Sequence, residues 1–288
     1  MALTEPPKPR HSSGYSPDEL EQVRSALLTV AVTLGSFLND LCVIGGVVPS
    51  VLIDRTGGYD EPVHVGTNDL DVALDVGLLD GGRYAELSDR LRAEGFHADE
   101  SAAGNPVFQR WRLDHLNVTI DFLIEPAGER PGTIKKLEAD FGALVARGVN
   151  LAFEDREMIA VRGHTLAGEQ LVRTVPICGP AAFVVLKAFA LAGRGEPKDA
   201  YDLVYVLRHF PGGVTTVAKR LVALRDQVRV SEAVDELAVY FAEVDSVGSR
   251  RAAEFVLAAG AERDEIDERA ADDRGVVLDL VDLWRASR

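Results

Sequence analysis

Cysteine is nearly absent from this 288-residue chain: Cys42 and Cys178 stand far apart and neither belongs to a CxxC pair. That excludes a disulfide framework and points to a reducing compartment such as the cytoplasm. Histidine is scarce too. None of the six forms an HExxH pair or takes a Cys-His spacing, so zinc lacks its usual ligands. His64, next to the aspartate strand, could approach a site there, although loop histidines are usually bystanders. No apolar run approaches the ~20 residues of a membrane span, and the opening MALTEPPKPRHSSGY lacks the apolar core of a signal peptide. An unexported protein with no membrane partner is expected, with residues 1–15 as a disordered tail. Positive charge is in deficit, with 31 Lys and Arg against 46 Asp and Glu and a formal charge of −15. Such a surface opposes indiscriminate binding to a phosphate backbone, so a nucleic-acid substrate needs a local basic patch.

What is present is enough for a substantial core, since 47% of the residues are hydrophobic. In SPDELEQVRSALLTVAVTLGSFL, Ser16 suits an N-cap, Pro17 the first helical position and Glu19 a capping box. Leu20, Val23, Leu27 and Leu34 then fall on one helical face. LCVIGG reads as a buried strand stopped by two glycines, and VVPSVLI as a short helix. After a polar loop comes an aspartate-bearing strand, then an amphipathic helix over RYAELSDRLRAEG. VFQRWRL and NVTIDFLIE read as strands joined by a tight Asp114–His115 turn, residues 132–148 as helix, and NLAFEDREMIAVRG as a short hairpin. From Ala181 onward the pattern is almost entirely helical, and AERDEIDERAADDRG reads as a solvated helix face or polar turn. The expected organisation is an α+β domain over 16–180, with a small mixed sheet flanked by helices, followed by a helical domain over 181–288.

HVGTNDLDVALDV sets Asp69, Asp71 and Asp75 at one parity of an otherwise apolar strand. Side chains alternate across a strand, so Asp69 and Asp71 share a face about 7 Å apart, with Leu70 and Val72 on the other. Two such carboxylates can converge on hard divalent cations, magnesium above all. The same pattern also describes a solvated strand face. Asp121 adds to it, because Val118, Ile120, Phe122 and Ile124 occupy the opposite face of its strand. A carboxylate there needs a metal or cation as partner. Gly45 and Gly46 end a strand where a helix begins, and their amides can cradle a phosphate with help from the helix dipole.

The ordered set IGG, DLDV and IDF resembles the hG[GS], Dh[DE]h and h[DE]h elements of the polymerase-beta-type nucleotidyltransferase superfamily. Further along, FVVLKAFALAGRGEPKDAYDLVYVL is similar to the third and fourth motifs of AbiEii-type toxins, a nucleotidyltransferase group that includes the MenT toxins. The likeness runs from about Phe37 to Leu207. It departs from the family in a long Gly46 to Asp69 interval, with an inserted loop around RTGGYDEPVH, and in the residues directly after the glycines.

The resemblance implies a nucleotidyltransferase fold and transfer of a nucleoside monophosphate from a nucleoside triphosphate to an acceptor. Asp69, Asp71 and Asp121 would bind magnesium in a two-metal site, with Asp121 also able to assist deprotonation of the acceptor. Gly45 and Gly46 would hold the triphosphate, with Thr67 as the small hydroxyl before the acidic pair. Lys187 would contact phosphate and Asp202 would be the fourth-motif acid. Arg110, Arg112 and Arg194 are added as nucleotide or acceptor contacts on charge alone. The acceptor expected from the resemblance is RNA such as tRNA, within a toxin–antitoxin pair that has a cognate antitoxin protein. A small-molecule acceptor of the antibiotic type and a catalytically inactive nucleotide-binding member stay open beside it. Haloacid-dehalogenase-type phosphatases also use DxD, but there the motif continues with Gly-Thr or similar, whereas Val72 and Ala73 follow here.

Overall fold

The computed structural model describes residues 8–53, 63–77, 81–101, 103–113, 116 and 118–287. The chain forms two compact units. Lys8, Pro17–Val48 and Gly66–Cys178 belong to the first; Pro9–Ser16, Pro49–Val65 and Gly179–Arg288 belong to the second. The chain therefore crosses between units more than once, and the second is not a purely carboxy-terminal segment. Within residues 8–15, taken from sequence as part of a tail, Ser12–Gly14 form a short 3-10 turn.

The first unit is α+β. Helix α1 (Pro17–Thr33) is followed by β1 (Leu41–Ile44) and then by the one-and-a-half-turn α2 (Val48–Leu52), where the chain passes into the second unit. It returns for β2 (Asp69–Leu74), α3 (Gly81–Ala93), β3 (His97–Glu100), β4 (Pro106–Arg112) and β5 (Thr119–Ile124). β6 (Ile134–Glu138), β7 (Phe141–Val145), α4 (Leu151–Glu154), β8 (Arg156–His164) and β9 (Gln170–Cys178) complete it. The nine strands make one mixed sheet in the order β3-β4-β5-β2-β1-β9-β8, with β7 also pairing to β5 and β6 to β7. β2 lies between antiparallel β1 and parallel β5. Leu70, Val72 and Leu74 are buried on one face of β2, as are Ile120, Phe122 and Ile124 on β5, which leaves the aspartates of both strands on the other face. α1 packs on β2, β8 and β9 and buries Leu20, Val23 and Leu27 as its periodicity predicts, whereas α3 packs on β6 and β7.

Two sequence expectations are overturned. Residues 132–148 are not helix: they hold the β6–β7 hairpin, with Glu138 paired to Phe141 across its tip. Ile134, Leu137, Phe141 and Leu144 happen to fall at spacings of three and four, yet pairing of Leu123 with Leu144 and Ile124 with Val145 draws the segment into the sheet. NLAFEDREMIAVRG is not a self-contained hairpin either. It contributes the single-turn α4 and then β8, whose nine residues pair antiparallel with all nine of β9. The Asp114–His115 turn lies outside the described residues, as does most of the loop before His64.

The second unit is helical: α5 (Pro180–Gly193), α6 (Pro197–His209), α7 (Gly213–Ala223), α8 (Val228–Tyr240), α9 (Val247–Val256) and α10 (Arg263–Ala286). Proline opens α5 and α6, where the missing amide hydrogen costs nothing. Gly195, at φ +63°, turns the chain between them. α6 packs on α5 and α9, and α10 on α7 and α9. The acidic run near residue 265 is the start of α10, fixed by a Glu262–Glu265 capping box, and one of its acids, Asp273, is fully buried. Among the described residues no helix is long and apolar enough to cross a membrane.

Candidate functional site

The first unit gathers acids on one sheet face by strand register. Asp71 is paired with Asp121 and Asp69 with Thr119 across the parallel β2–β5 ladder. Asp69, Asp71 and Asp121 therefore project from the same side of two neighbouring strands. Ile44, the last residue of β1, is the antiparallel partner of Asp71, so the glycines that follow it arrive beside that carboxylate. Gly45 has φ +75°, and a Cβ built on it would lie 2.7 Å from the Asp71 Cγ. Both its backbone and its surroundings therefore require glycine. Gly46 is buried in the 3-10 turn Gly45–Val47 that leads into α2. Since α2 has only five residues, its dipole adds little to any phosphate site.

Cations already attend the buried carboxylates. Lys8 forms an ion pair with Asp69 Oδ2, while the Thr119 hydroxyl donates to Asp69 Oδ1 at 2.9 Å. Thr67, next to the acidic pair, accepts the Asp69 amide hydrogen on its hydroxyl at 3.3 Å. Burial would raise the Asp69 carboxyl's pKa, but Lys8, the Thr119 hydrogen bond and Arg110 together hold it below the usual value. Arg110, register partner of Asp121 on β4, donates from Nε and Nη2 to the two Asp121 oxygens at 2.8 and 2.9 Å. Asp121 nevertheless stays above the ordinary carboxylate value, because burial, with the Asp69 charge added, outweighs the guanidinium. Arg112, the next residue on the same side of β4, pairs with Asp99 at 3.3 Å instead. Among the described residues, no three His, Cys, Asp or Glu side chains are arranged to hold a metal ion. Backbone register assembles the three acids, and the side chains of two of them are turned to Lys8 and Arg110.

The second unit holds the remaining predicted residues in a buried ion cluster. Lys187 of α5 donates to Asp199 Oδ1 at 2.9 Å and to Asp202 Oδ2 at 2.6 Å, joining α5 to α6. Arg194 forks onto Asp199 at 2.8 and 2.9 Å, and Lys198, one turn before Asp202, binds both of its oxygens. His64 places Nε2 at 2.8 Å from Asp202 Oδ1, with both side chains wholly buried. Burial lowers the imidazole's pKa to about 4, so it is neutral near pH 7, and because a carboxylate only accepts, Nε2 carries the proton. Burial opposes charge on the two acids, yet Lys187 with Arg194 brings Asp199 down to about 2, and Lys187 with Lys198 brings Asp202 well below its usual value. Lys187 shows the mirror effect: its burial is outweighed by Asp199 and Asp202, which raise it.

Sequence reasoning passed over several of these participants. His64 is no bystander, and its stacking on Tyr201 and edge contact with Tyr205 fix its ring in addition to the Asp202 bond. Lys198 was legible as the residue four before Asp202, a spacing that places both on one helix face. Lys8 and Thr119 carried no signal, since only register and folding bring them to Asp69. The phosphate contact implied for Lys187 competes with two carboxylates that already hold its ammonium. Arg194, with its side chain 55% exposed, is the outward cation of that cluster. No protein-family model and no curated protein matches this chain.

Proposed function

We propose that the protein is a metal-dependent nucleotidyltransferase of the polymerase-beta-like superfamily, of the AbiEii type, transferring a nucleoside monophosphate to RNA such as tRNA as the toxin of a toxin–antitoxin pair. The observation that carries this reading is the Asp69–Asp71–Asp121 face beside Gly45, whose positive φ and close approach to Asp71 disfavour any side chain. The donor set is all carboxylate oxygen, which suits magnesium, and Asp69 already takes a cation from outside its strand. Asp69, Asp71 and Asp121 would hold the ion once Lys8 leaves. Magnesium bound there supplies charge neutralisation for in-line attack at the α-phosphorus and departure of pyrophosphate.

The chain's own groups have separable tasks in this scheme. Gly45 and Gly46 leave room for the triphosphate beside Asp71. Thr119 and Thr67 orient Asp69 through its carboxylate and its amide. Arg110 directs the Asp121 carboxylate and partly offsets the cost of its burial, while the raised affinity of Asp121 for a proton suits it to accept one from the acceptor hydroxyl. Lys187 and Asp202 act as positioning residues that fix α5 to α6, and the nucleotide contact proposed for Arg194 rests on its charge alone. The RNA acceptor and the antitoxin follow from the resemblance of the K…R…KDxYDL string to the toxin group.

A second reading, a nucleotide-binding protein without transferase activity, is favoured by the Arg110 fork that already satisfies Asp121. One experiment separates the readings. The protein is incubated with each α-labelled nucleoside triphosphate and magnesium, with total RNA, protein and aminoglycoside offered as acceptors. Chelator-sensitive label on RNA supports the proposal, label on the aminoglycoside moves it to the antibiotic type, and nucleotide binding with no transfer supports the second reading.

A further inference from the structure

The edges of the sheet in the first unit are not alike. β3 ends it on one side as a strand of four residues whose register with β4 slips between Ala98 and Asp99. β6, the outer strand of the branch through β7, has five residues and slips between Lys136 and Glu138. Short, irregular edges of this kind resist pairing with another chain. β8 ends the sheet on the other side with nine residues in unbroken register with β9, and it holds no proline. The N–H and C=O of every second β8 residue therefore face away from the sheet in a regular row.

Side chains of this ribbon divide by parity. Ile159, Val161 and Val175 are buried on the face that α1 covers. The opposite face is open: Met158 is 56% and Val172 52% exposed, and the register partners Ala160 and Thr174 are exposed between them. Arg156 stands at one end of this strip and Arg162 with His164 at the other, all exposed. The two arginines are about 20 Å apart along the strand. Arg156 Nη1 donates to the Asn39 carbonyl, and the side chains of Arg162 and His164 make no hydrogen bond or ion pair among the described residues. No Asp or Glu occupies this face, since Glu157 points to the α1 side and Glu169 precedes β9. In a chain of formal charge −15, this is a local basic margin around an apolar strip. Methionine and arginine are enriched in protein interfaces. A phosphate backbone would leave the apolar strip unmatched, whereas an extended peptide covers it and also takes the free main-chain groups.

We infer that β8 is a docking edge for an extended acidic peptide of another protein, which adds a strand to the sheet. The peptide main chain pairs with the outward N–H and C=O groups of β8. Its apolar side chains cover Met158 and Ala160, and acidic side chains toward its two ends meet Arg156 and Arg162. Nucleotide transfer plays no part in this site.

A capped, dye-labelled nonapeptide is the probe, with glutamate at its first, third and ninth positions, valine at its fifth and seventh, and threonine between. Titrated with the full chain, its fluorescence anisotropy is expected to saturate, and hydrogen–deuterium exchange to slow over Arg156–His164. Arg162→Glu should weaken binding by roughly several-fold and leave the melt unchanged, because the side chain is exposed. Lysine in place of the three glutamates should abolish it. Alternate peptide amides face β8, so N-methylation at one parity should abolish binding and at the other parity preserve it. Absence of saturable binding, equal binding of the lysine analogue, or equal loss from both N-methylated peptides overturns the docking edge. Oligouridylate that slows exchange over β8 where the peptide does not overturns the choice of a peptide.

Discussion

The acid face of the first unit and the ion cluster of the second use the same residue types under opposite conditions. On the face, Asp69 and Asp121 stand on strands and take their cations from elsewhere, Asp69 from a lysine whose side chain is 42% exposed. In the cluster, Lys187, Asp199 and Asp202 are at most 7% exposed and come from two helices packed on each other. The Lys8 ammonium is open to solvent, and the Thr119 hydroxyl stays on Asp69 when the lysine leaves, so this partner can be exchanged for another cation. A sealed cluster cannot be opened without stranding buried charge. Aspartate and lysine at motif positions thus do not share one role here: the first set is suited to exchange, the second to holding two helices together.

Removing Lys187 gives the largest expected effect. Lys187→Met leaves two carboxylates facing a methyl group and should destabilise the second unit by about 3–5 kcal/mol, read by chemical denaturation. Lys8→Ala should cost clearly less in the same assay, because the Thr119 hydroxyl and the Arg110 charge still attend Asp69. Similar losses in both would erase the distinction between the two regions.

Acid should act next on the cluster, through His64. Its folded pKa is depressed to about 4 from 6.5, so the unfolded chain binds the proton first. The stability this group contributes is complete above about pH 6.5 and is lost as pH falls through about 4, by roughly 3 kcal/mol at most. His64→Gln retains a donor toward Asp202 and should flatten that part of the stability–pH profile. Asp199, held at about 2, loses its contribution only below the ordinary carboxylate range, so a second decline is expected between roughly pH 4 and 2.

Smaller stability effects belong to the acid face. Gly45→Ala must place a side chain at positive φ and against Asp71, at about 1–2 kcal/mol, with nucleotide transfer falling much further. Asp71→Ala should alter stability by less than about 1 kcal/mol and abolish transfer, a split that a purely structural carboxylate would not give.

Legibility in sequence followed how local the cause was. β2 was readable because Leu70, Val72 and Leu74 alternate with Asp69 and Asp71, and α1 because Leu20, Val23 and Leu27 keep helical spacing. The β6–β7 hairpin was not, since its apolar residues fit a helical period and only the β5 ladder decides otherwise. Asp71 and Asp121 were both picked out by their apolar surroundings, but their register partnership is a property of the assembled sheet. The Lys8 and His64 contacts span 61 and 138 residues, and nothing within either local segment specifies the partner.

Manganese(II) titration of the wild type, Lys8→Ala and Asp71→Ala, followed by electron paramagnetic resonance, probes most directly whether Asp69, Asp71 and Asp121 take a divalent ion in place of Lys8. Saturable binding in the wild type, several-fold tighter in Lys8→Ala and lost in Asp71→Ala, is the predicted result. An unaltered spectrum of the free ion in both the wild type and Lys8→Ala, at millimolar metal, would contradict it.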